Sequence, residues 1–254
     1  MTRRHDRDAG GDRDVLERKA ELRQRMWAAL REAGADRFPG AEGRIPNFTG
    51  AEHAAERLRG LDVWQGASTV KANPDSPQWP VRQRALEDGK IVFMAVPRLA
   101  DERPFLRLDP DHLDDSPRQA SSIKGSSGNG EPVDVDDLEP VDLVVTGCVA
   151  VGADGARLGK GGGFSDLEFA VAREAGLITD HTSVVTTVHE VQVVEAGTIP
   201  MTPHDVPVDV VVTPDRVLDC RPGTFPRPDG VRWEELTDDK VAAIPVLQRL
   251  GDRG

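Results

Sequence analysis

The sequence predicts an α/β fold: an open, mostly parallel sheet with helices on both faces. Apolar, β-branched runs at 90–96, 141–151, 183–188 and 210–213 have the length and continuity of buried strands. Amphipathic patterns over 15–33, 51–61 and 81–88 alternate with strands in βαβ order, which implies right-handed crossovers between parallel neighbours. Between the run at 141–151 and a helix-like segment at 167–175 lies a glycine-rich decade, Arg157-Leu158-Gly159-Lys160-Gly161-Gly162-Gly163-Phe164-Ser165-Asp166. With 254 residues, 38% of them hydrophobic, the chain can bury one sizeable core. One domain is expected over 15–254, behind a charged, disordered tail at 1–14.

The elements follow in order. Asp14 is placed to cap a helix over 15–33, with Leu16, Ala20, Met26, Trp27 and Leu30 as its apolar stripe and Gly34 at its end. Lys19 and Arg23 form an i,i+4 cationic pair on the polar face. A Pro/Gly connector over 38–48 leads to a second helix, with Ala54, Ala55 and Leu58 facing inward. A short strand at 68–72 ends in Asn73-Pro74-Asp75-Ser76-Pro77, at the strand end where ligands bind in open α/β sheets. Asp75 is either an Asx-turn residue or a carboxylate able to accept from ligand N–H groups.

The stretch 101–142 loses periodicity, is acidic and carries Pro at 104, 110, 117, 132 and 140. It reads as a binding loop or a mobile lid, and Ser121, Ser122, Lys124 and Gly125 could touch phosphate. His189, between the runs at 183–188 and 191–194, is a polar strand cap or an acid/base group. Pro203-His204-Asp205-Val206-Pro207-Val208-Asp209 precedes the last apolar run, with Asp209 fixing local backbone, and a terminal helix from near 237 must break at Pro245.

Chemistry concentrates in the decade. Four glycines within Gly159 to Gly163 allow positive φ and bring backbone N–H groups close to a ligand, ahead of a helix N-terminus. Arg157 and Lys160 add positive charge, and Asp166 offers a carboxylate where Mg²⁺ on a triphosphate could sit. The plainer reading is a surface loop capped by Asp166. Neither G-x-x-x-x-G-K-[ST] nor G-x-G-x-x-G followed by a strand-terminal acid is present.

Composition narrows the class. A net charge of −12 excludes a general nucleic-acid surface, and the absence of an apolar run near 18 residues or an h-region predicts a cytoplasmic chain without membrane association. Cys148 and Cys220 match no metal or disulfide pattern and read as reduced and structural. Excess Asp over Glu and Arg over Lys, with no Tyr, suits a salt-adapted, halophilic cytosol, where screening removes self-repulsion.

The decade resembles the R-L-G-x-G-x-G-Y-Y-D signature of the 5-formyltetrahydrofolate cyclo-ligase (methenyltetrahydrofolate synthetase) family, with Phe164 and Ser165 at its two aromatic positions. The similarity runs over roughly 19–213. Arg44 to Phe48, Val70 to Asp75, Gly147 to Val151 and Gly159 to Glu168 are most similar to the methenyltetrahydrofolate synthetase domain-containing branch. The resemblance implies a Rossmann-like three-layer fold, ATP and Mg²⁺ as cofactors, and one-carbon metabolism as the setting. It also implies that Lys19 and Arg23, as K-x-x-L-R, meet ATP together with Arg157, Gly159, Lys160, Gly161, Gly162, Gly163, Phe164 and Ser165. Arg157 and Lys160 would neutralise charge during phosphoryl transfer. Asp75 would meet the folate together with Gly163 and Phe164, and Asp166 and Asp205 would hold the metal.

The reaction implied is ATP-dependent closure of 5-formyltetrahydrofolate to 5,10-methenyltetrahydrofolate by a monomer. Ser165, the shortness of Asp75 and the acidic stretch leave open a non-catalytic nucleotide- or folate-binding protein. Another acceptor for the same phosphate donor is a third reading.

Overall fold

The computed structural model describes residues 5–251, with side chains from residue 13 onward. Helix α1 (His5–Glu32) is followed by α2 (Ala51–Arg59), α3 (Asp62–Gln65), β1 (Thr69–Ala72), α4 (Trp79–Glu87), β2 (Ile91–Ala95) and β3 (Phe105–Leu108). Then come α5 (Pro117–Ala120), α6 (Ile123–Asn129), β4 (Glu131–Val133), β5 (Leu143–Val145), β6 (Ala150–Gly152), β7 (Arg157–Leu158) and α7 (Phe164–Glu174). β8 (Ser183–Thr187), β9 (Val193–Val194), β10 (Val210–Val212), β11 (Val217–Asp219), α8 (Asp238–Ala242) and α9 (Pro245–Gly251) complete the chain.

The main sheet has the order β11-β10-β8-β5-β1-β2-β3-β4. Its five central strands, β10 to β2, are parallel, and β11, β3 and β4 add antiparallel edges. Strand alternation divides the core between the two faces. Val92, Met94, Leu143, Val145, Val210 and Val212 pack under α2 and α4. Phe93, Val144 and Val211 face α7 and α9. This is the three-layer arrangement expected, with helices on both faces.

Several elements differ from expectation. The run at 141–151 is two strands in two sheets, and Gly147 lies between them, where a Cβ would lie 2.7 Å from both Gln78 Oε1 and Ile45 Cγ2, so the crossing point admits only glycine. The chain leaves the main sheet there and enters a small one, β7-β6-β9. The stretch 101–142 is not a structureless loop: β3 pairs with β2 and β4 with β3, so its backbone groups extend the sheet. Ser122, proposed for phosphate, instead caps α6, accepting from Gly125 N at 2.9 Å and donating to Gln119 O at 2.8 Å.

Helix α1 begins at His5 rather than at a cap on Asp14; i,i+4 pairs Arg13–Glu17 and Asp14–Arg18 continue its exposed end, and residues 1–4 of the expected tail lie outside the described residues. Its buried stripe is also rotated. Leu16 is 64% exposed and Ala20 is exposed, whereas Lys19, Leu22, Met26, Trp27 and Leu30 are buried against the small sheet. Tertiary pairing decides this face, since Lys19 has a buried carboxylate to meet. At the other end Thr237 caps α8 through Lys240 N, and the helix breaks before Pro245 as Pro requires.

Candidate active site

At the C-terminal ends of the parallel strands a cleft of about 580 Å³ opens between the glycine-rich loop and the turn after β1. The loop is shaped by its glycines at two points: Gly161 has φ +107°, and Gly163, with φ +67°, takes the left-handed conformation at the N-cap of α7. The cations around it hold it. Arg23 Nε donates to Gly159 O at 2.7 Å, and burial lowers the Arg23 guanidinium from its ordinary range, with Asp205 opposing. Arg157 is buried: Nε donates to Val206 O at 3.2 Å, one terminal nitrogen to Gly147 O at 3.1 Å, and the other pairs with Asp166. Burial pulls the Arg157 guanidinium down, yet the Asp166 charge and hydrogen bond raise it overall.

Asp166 Oδ1 accepts from Val206 N at 3.0 Å as well as from Arg157, so the first turn of α7 and the 203–209 segment are stitched together. Asp205, set behind that contact, accepts from Lys19 Nζ at 2.5 Å and from Thr202 N and Oγ1 at 2.6 and 2.7 Å, all at Oδ2. Burial pushes the Asp205 carboxyl up, but the Lys19 and Thr202 donors outweigh it and hold it below the usual carboxylate range. The structure thus brings Lys19, Arg23, Arg157, Asp166 and Asp205 together under the loop. Lys160 is the exposed charge by contrast: its side chain is half exposed, and Nζ reaches across to Asp75 Oδ1 at 3.5 Å.

Between β1 and α7 lies a polar network of which reading the sequence singled out Ser165 but not Lys71 or Glu168. Lys71, in the middle of β1, is 2% exposed and donates to Glu168 Oε2 at 2.6 Å. Asn73 Nδ2 donates to the same oxygen at 3.0 Å, and Ser165 Oγ donates to Asn73 Oδ1 at 3.3 Å and lies 2.9 Å from Thr146 Oγ1. The signal was available: a lysine inside an apolar strand and a glutamate on the buried face of a helix both require partners. Arg82, fully buried, binds the carbonyls of Asn73 (2.5 Å), Asp75 (3.1 Å) and Ser121 (2.9 Å), and its guanidinium is lowered to about 9 by burial. It ties the turn to the α5–α6 unit. Arg44 and Arg98 also line the cleft, and Arg98 and Leu99 both have positive φ, at 61° and 53°. Such strain in non-glycine residues concentrates at functional sites.

Asp166 Oδ2 and Asp205 Oδ1 take no protein hydrogen bond among the described residues. Among those residues no group of three or more His, Cys, Asp or Glu forms a metal cage. Mg²⁺ characteristically binds through one or two carboxylates plus substrate phosphates; Asp166 lines the cleft and fits that pattern, whereas Asp205 lies buried behind it against Lys19 and Thr202. His189 caps the turn that follows it, accepting from Val191 N at 3.2 Å, in keeping with the strand-cap reading. Cys148 and Cys220 are free and buried, and burial raises each thiol to about 11. Among the described residues no helix is long and apolar enough to cross a membrane.

Fold and site together define an open α/β protein with a cation-braced glycine-rich loop bordering a cleft at the strand ends. The sequence matches the profile of the 5-formyltetrahydrofolate cyclo-ligase family over residues 15–214, and the chain belongs to that family. It is 37% identical over 238 residues to the methenyltetrahydrofolate synthase domain-containing protein of Mus musculus, covering 92% of this chain and 63% of that protein. The Homo sapiens protein of that name is 34% identical over 240 residues, with 92% and 62% covered. The chain therefore spans about three fifths of the length of these relatives. Over a shorter stretch of 137 residues it is 31% identical to the mitochondrial 5-formyltetrahydrofolate cyclo-ligase of Arabidopsis thaliana, covering 50% of this chain and 49% of that one. The solved Aquifex aeolicus 5,10-methenyltetrahydrofolate synthetase shares the fold, with a TM-score of 0.51, 20% identity, and coverage of 86% of this chain and 99% of that structure.

Proposed function

We propose that this chain catalyses the ATP- and Mg²⁺-dependent conversion of 5-formyltetrahydrofolate to 5,10-methenyltetrahydrofolate. The observation that carries this reading is the single cleft in which the glycine-rich loop faces the Asn73–Asp75 turn, with Lys160 spanning the two. Loop N–H groups and Lys160 bind the phosphates of ATP, and Arg157, expected to neutralise charge there, instead braces the loop from beneath together with Lys19 and Arg23. Asp166, with Asp205 buried behind it, would hold Mg²⁺, which supplies charge neutralisation between phosphate oxygens. Asp75, Gly163 and Phe164 contact the folate. The formyl oxygen attacks the γ-phosphorus as the β,γ-bridging P–O bond breaks and ADP leaves; N10 then closes on the activated carbon with loss of its proton, and phosphate departs with the former formyl oxygen. Catalysis is then positioning and charge stabilisation, which needs no side-chain nucleophile.

The test is absorbance at the methenyl-folate band on adding ATP, Mg²⁺ and 5-formyltetrahydrofolate to the purified chain in high salt. A rise that needs all three is expected; folded protein that binds ATP and gives no rise would sink the reading. Ser165, where the family signature has an aromatic, favours a second reading, a binding protein that holds both ligands without turnover. The acidic, lysine-poor composition supports a monomer working in a salt-rich cytoplasm.

A further inference from the structure

The polar network between β1 and the first turns of α7 has a fixed hydrogen-bond direction. Lys71 is an ammonium, which can only donate, and it sits on the α7 face of the parallel strand β1 between buried Val70 and Ala72. Its partner Glu168 is 5% exposed and accepts from it at Oε2. An ionised carboxylate only accepts, so the second group on Oε2 must be the amide nitrogen of Asn73, which sets the amide's orientation. Asn73 Oδ1 therefore faces Ser165 and draws that hydroxyl's single proton. Thr146 completes the chain at 2.9 Å, and with the Ser165 proton committed to Asn73 it is the donor there.

This order determines what the cleft sees. Glu168 and Ser165 both line the cleft. Glu168 Oε1 takes no protein hydrogen bond among the described residues, and Ser165 has no proton left to offer. Both residues consequently present acceptors. A buried Lys–Glu pair is costly to desolvate and is rarely the cheapest way to fill a core, so a role beyond packing is the physical reason to look for one.

We propose that Lys71, acting through Glu168, Asn73 and Ser165, makes this network an acceptor-only specificity subsite for the edge of a planar heterocycle carrying adjacent N–H donors, as the 2-amino-4-oxo edge of a pterin does. Lys71 is a positioning residue; Glu168 and Ser165 are the groups that meet the ligand. The inference rests on the cyclo-ligase reading and locates the selection of the folate head in the position where the signature ring is absent. A donor-rich edge gains two acceptors there, and an analogue without the amino group leaves one of them buried and unpaired.

The experiment compares 5-formyltetrahydrofolate with its 2-desamino-2-methyl analogue by calorimetry on the intact chain, and by turnover with ATP. The wild type is expected to prefer the amino compound by at least about tenfold. In Lys71→Met/Glu168→Gln, which removes both charges at similar volume, that preference is expected to shrink to within about threefold, with KM for the folate rising more than kcat falls and KM for ATP within about twofold. Ser165→Ala, at a half-buried position outside the ion pair, should move the same way by less, and a thermal melt checks folding of both. Equal binding of the two compounds by the wild type, no binding of either, or full preference retained in the folded double variant would overturn the subsite. Preference in binding without turnover by the wild type would leave the subsite standing and instead remove the ligase reading.

Discussion

On the loop wall of the cleft, Arg157, Lys19 and Arg23 reach charged or carbonyl partners supplied by the 159–166 and 205–206 segments, so their work is to hold backbone N–H groups in place. On the β1 wall, the buried lysine and glutamate pair with each other, and the glutamate leaves an oxygen without a protein partner. One wall uses charge to fix a loop whose backbone is proposed to bind; the other uses charge to orient side chains proposed to bind directly. Truncation should therefore damage stability on the first wall and selectivity on the second, with Lys160 standing between them as the exposed charge proposed to meet substrate.

The largest effect expected is for Arg157→Met, which strands Asp166 in a partly buried site. Breaking such a pair costs about 3–5 kcal/mol, so the denaturant midpoint should drop sharply. A midpoint close to wild type would mean the loop wall is not held by charge. Next, Lys160→Ala should lower kcat by about 10²–10³ while the melting temperature stays near wild type, because one positioned cation at a developing charge is worth that much. Unchanged turnover would take the loop lysine out of the mechanism.

Gly163→Ala forces an alanine into φ +67° at the start of α7 and should cost about 1–2 kcal/mol in thermal stability and lower ATP affinity. The pH response is smaller still. The folded pKa of Asp205 lies below its unfolded value of about 3.9, so its stabilisation is complete above that pH and is lost as pH falls through the folded value. Stability of Lys19→Met/Asp205→Asn should accordingly fall less between about pH 4 and pH 2 than that of the wild type. Smallest of all, Lys124→Ala, on the exposed face of α6, should leave turnover within about twofold of wild type.

Much of the fold was readable because it rests on local periodicity. The strands at 90–96, 183–188 and 210–213, the inward face of α2 and the break at Pro245 need only residue pattern and backbone chemistry. The run at 141–151 misled because a continuous apolar stretch does not show where a strand leaves one sheet for another; that is set by the distant strands with which β5 and β6 pair. The 101–142 stretch misled because antiparallel edge strands are short and their pairing partners lie elsewhere in the chain.

By itself the sequence determined the α/β class, the glycine-rich loop and the glycines that shape it, since these follow from spacing and allowed φ. It also carried Lys19, Arg23, Arg157, Asp166 and Asp205 as a set. Only the tertiary structure decided which way α1 turns its stripe and that Lys71 and Glu168, 97 positions apart, form one buried pair. Periodicity reports the face an element tends to bury, but a charged group's burial depends on whether a distant segment delivers its counter-charge.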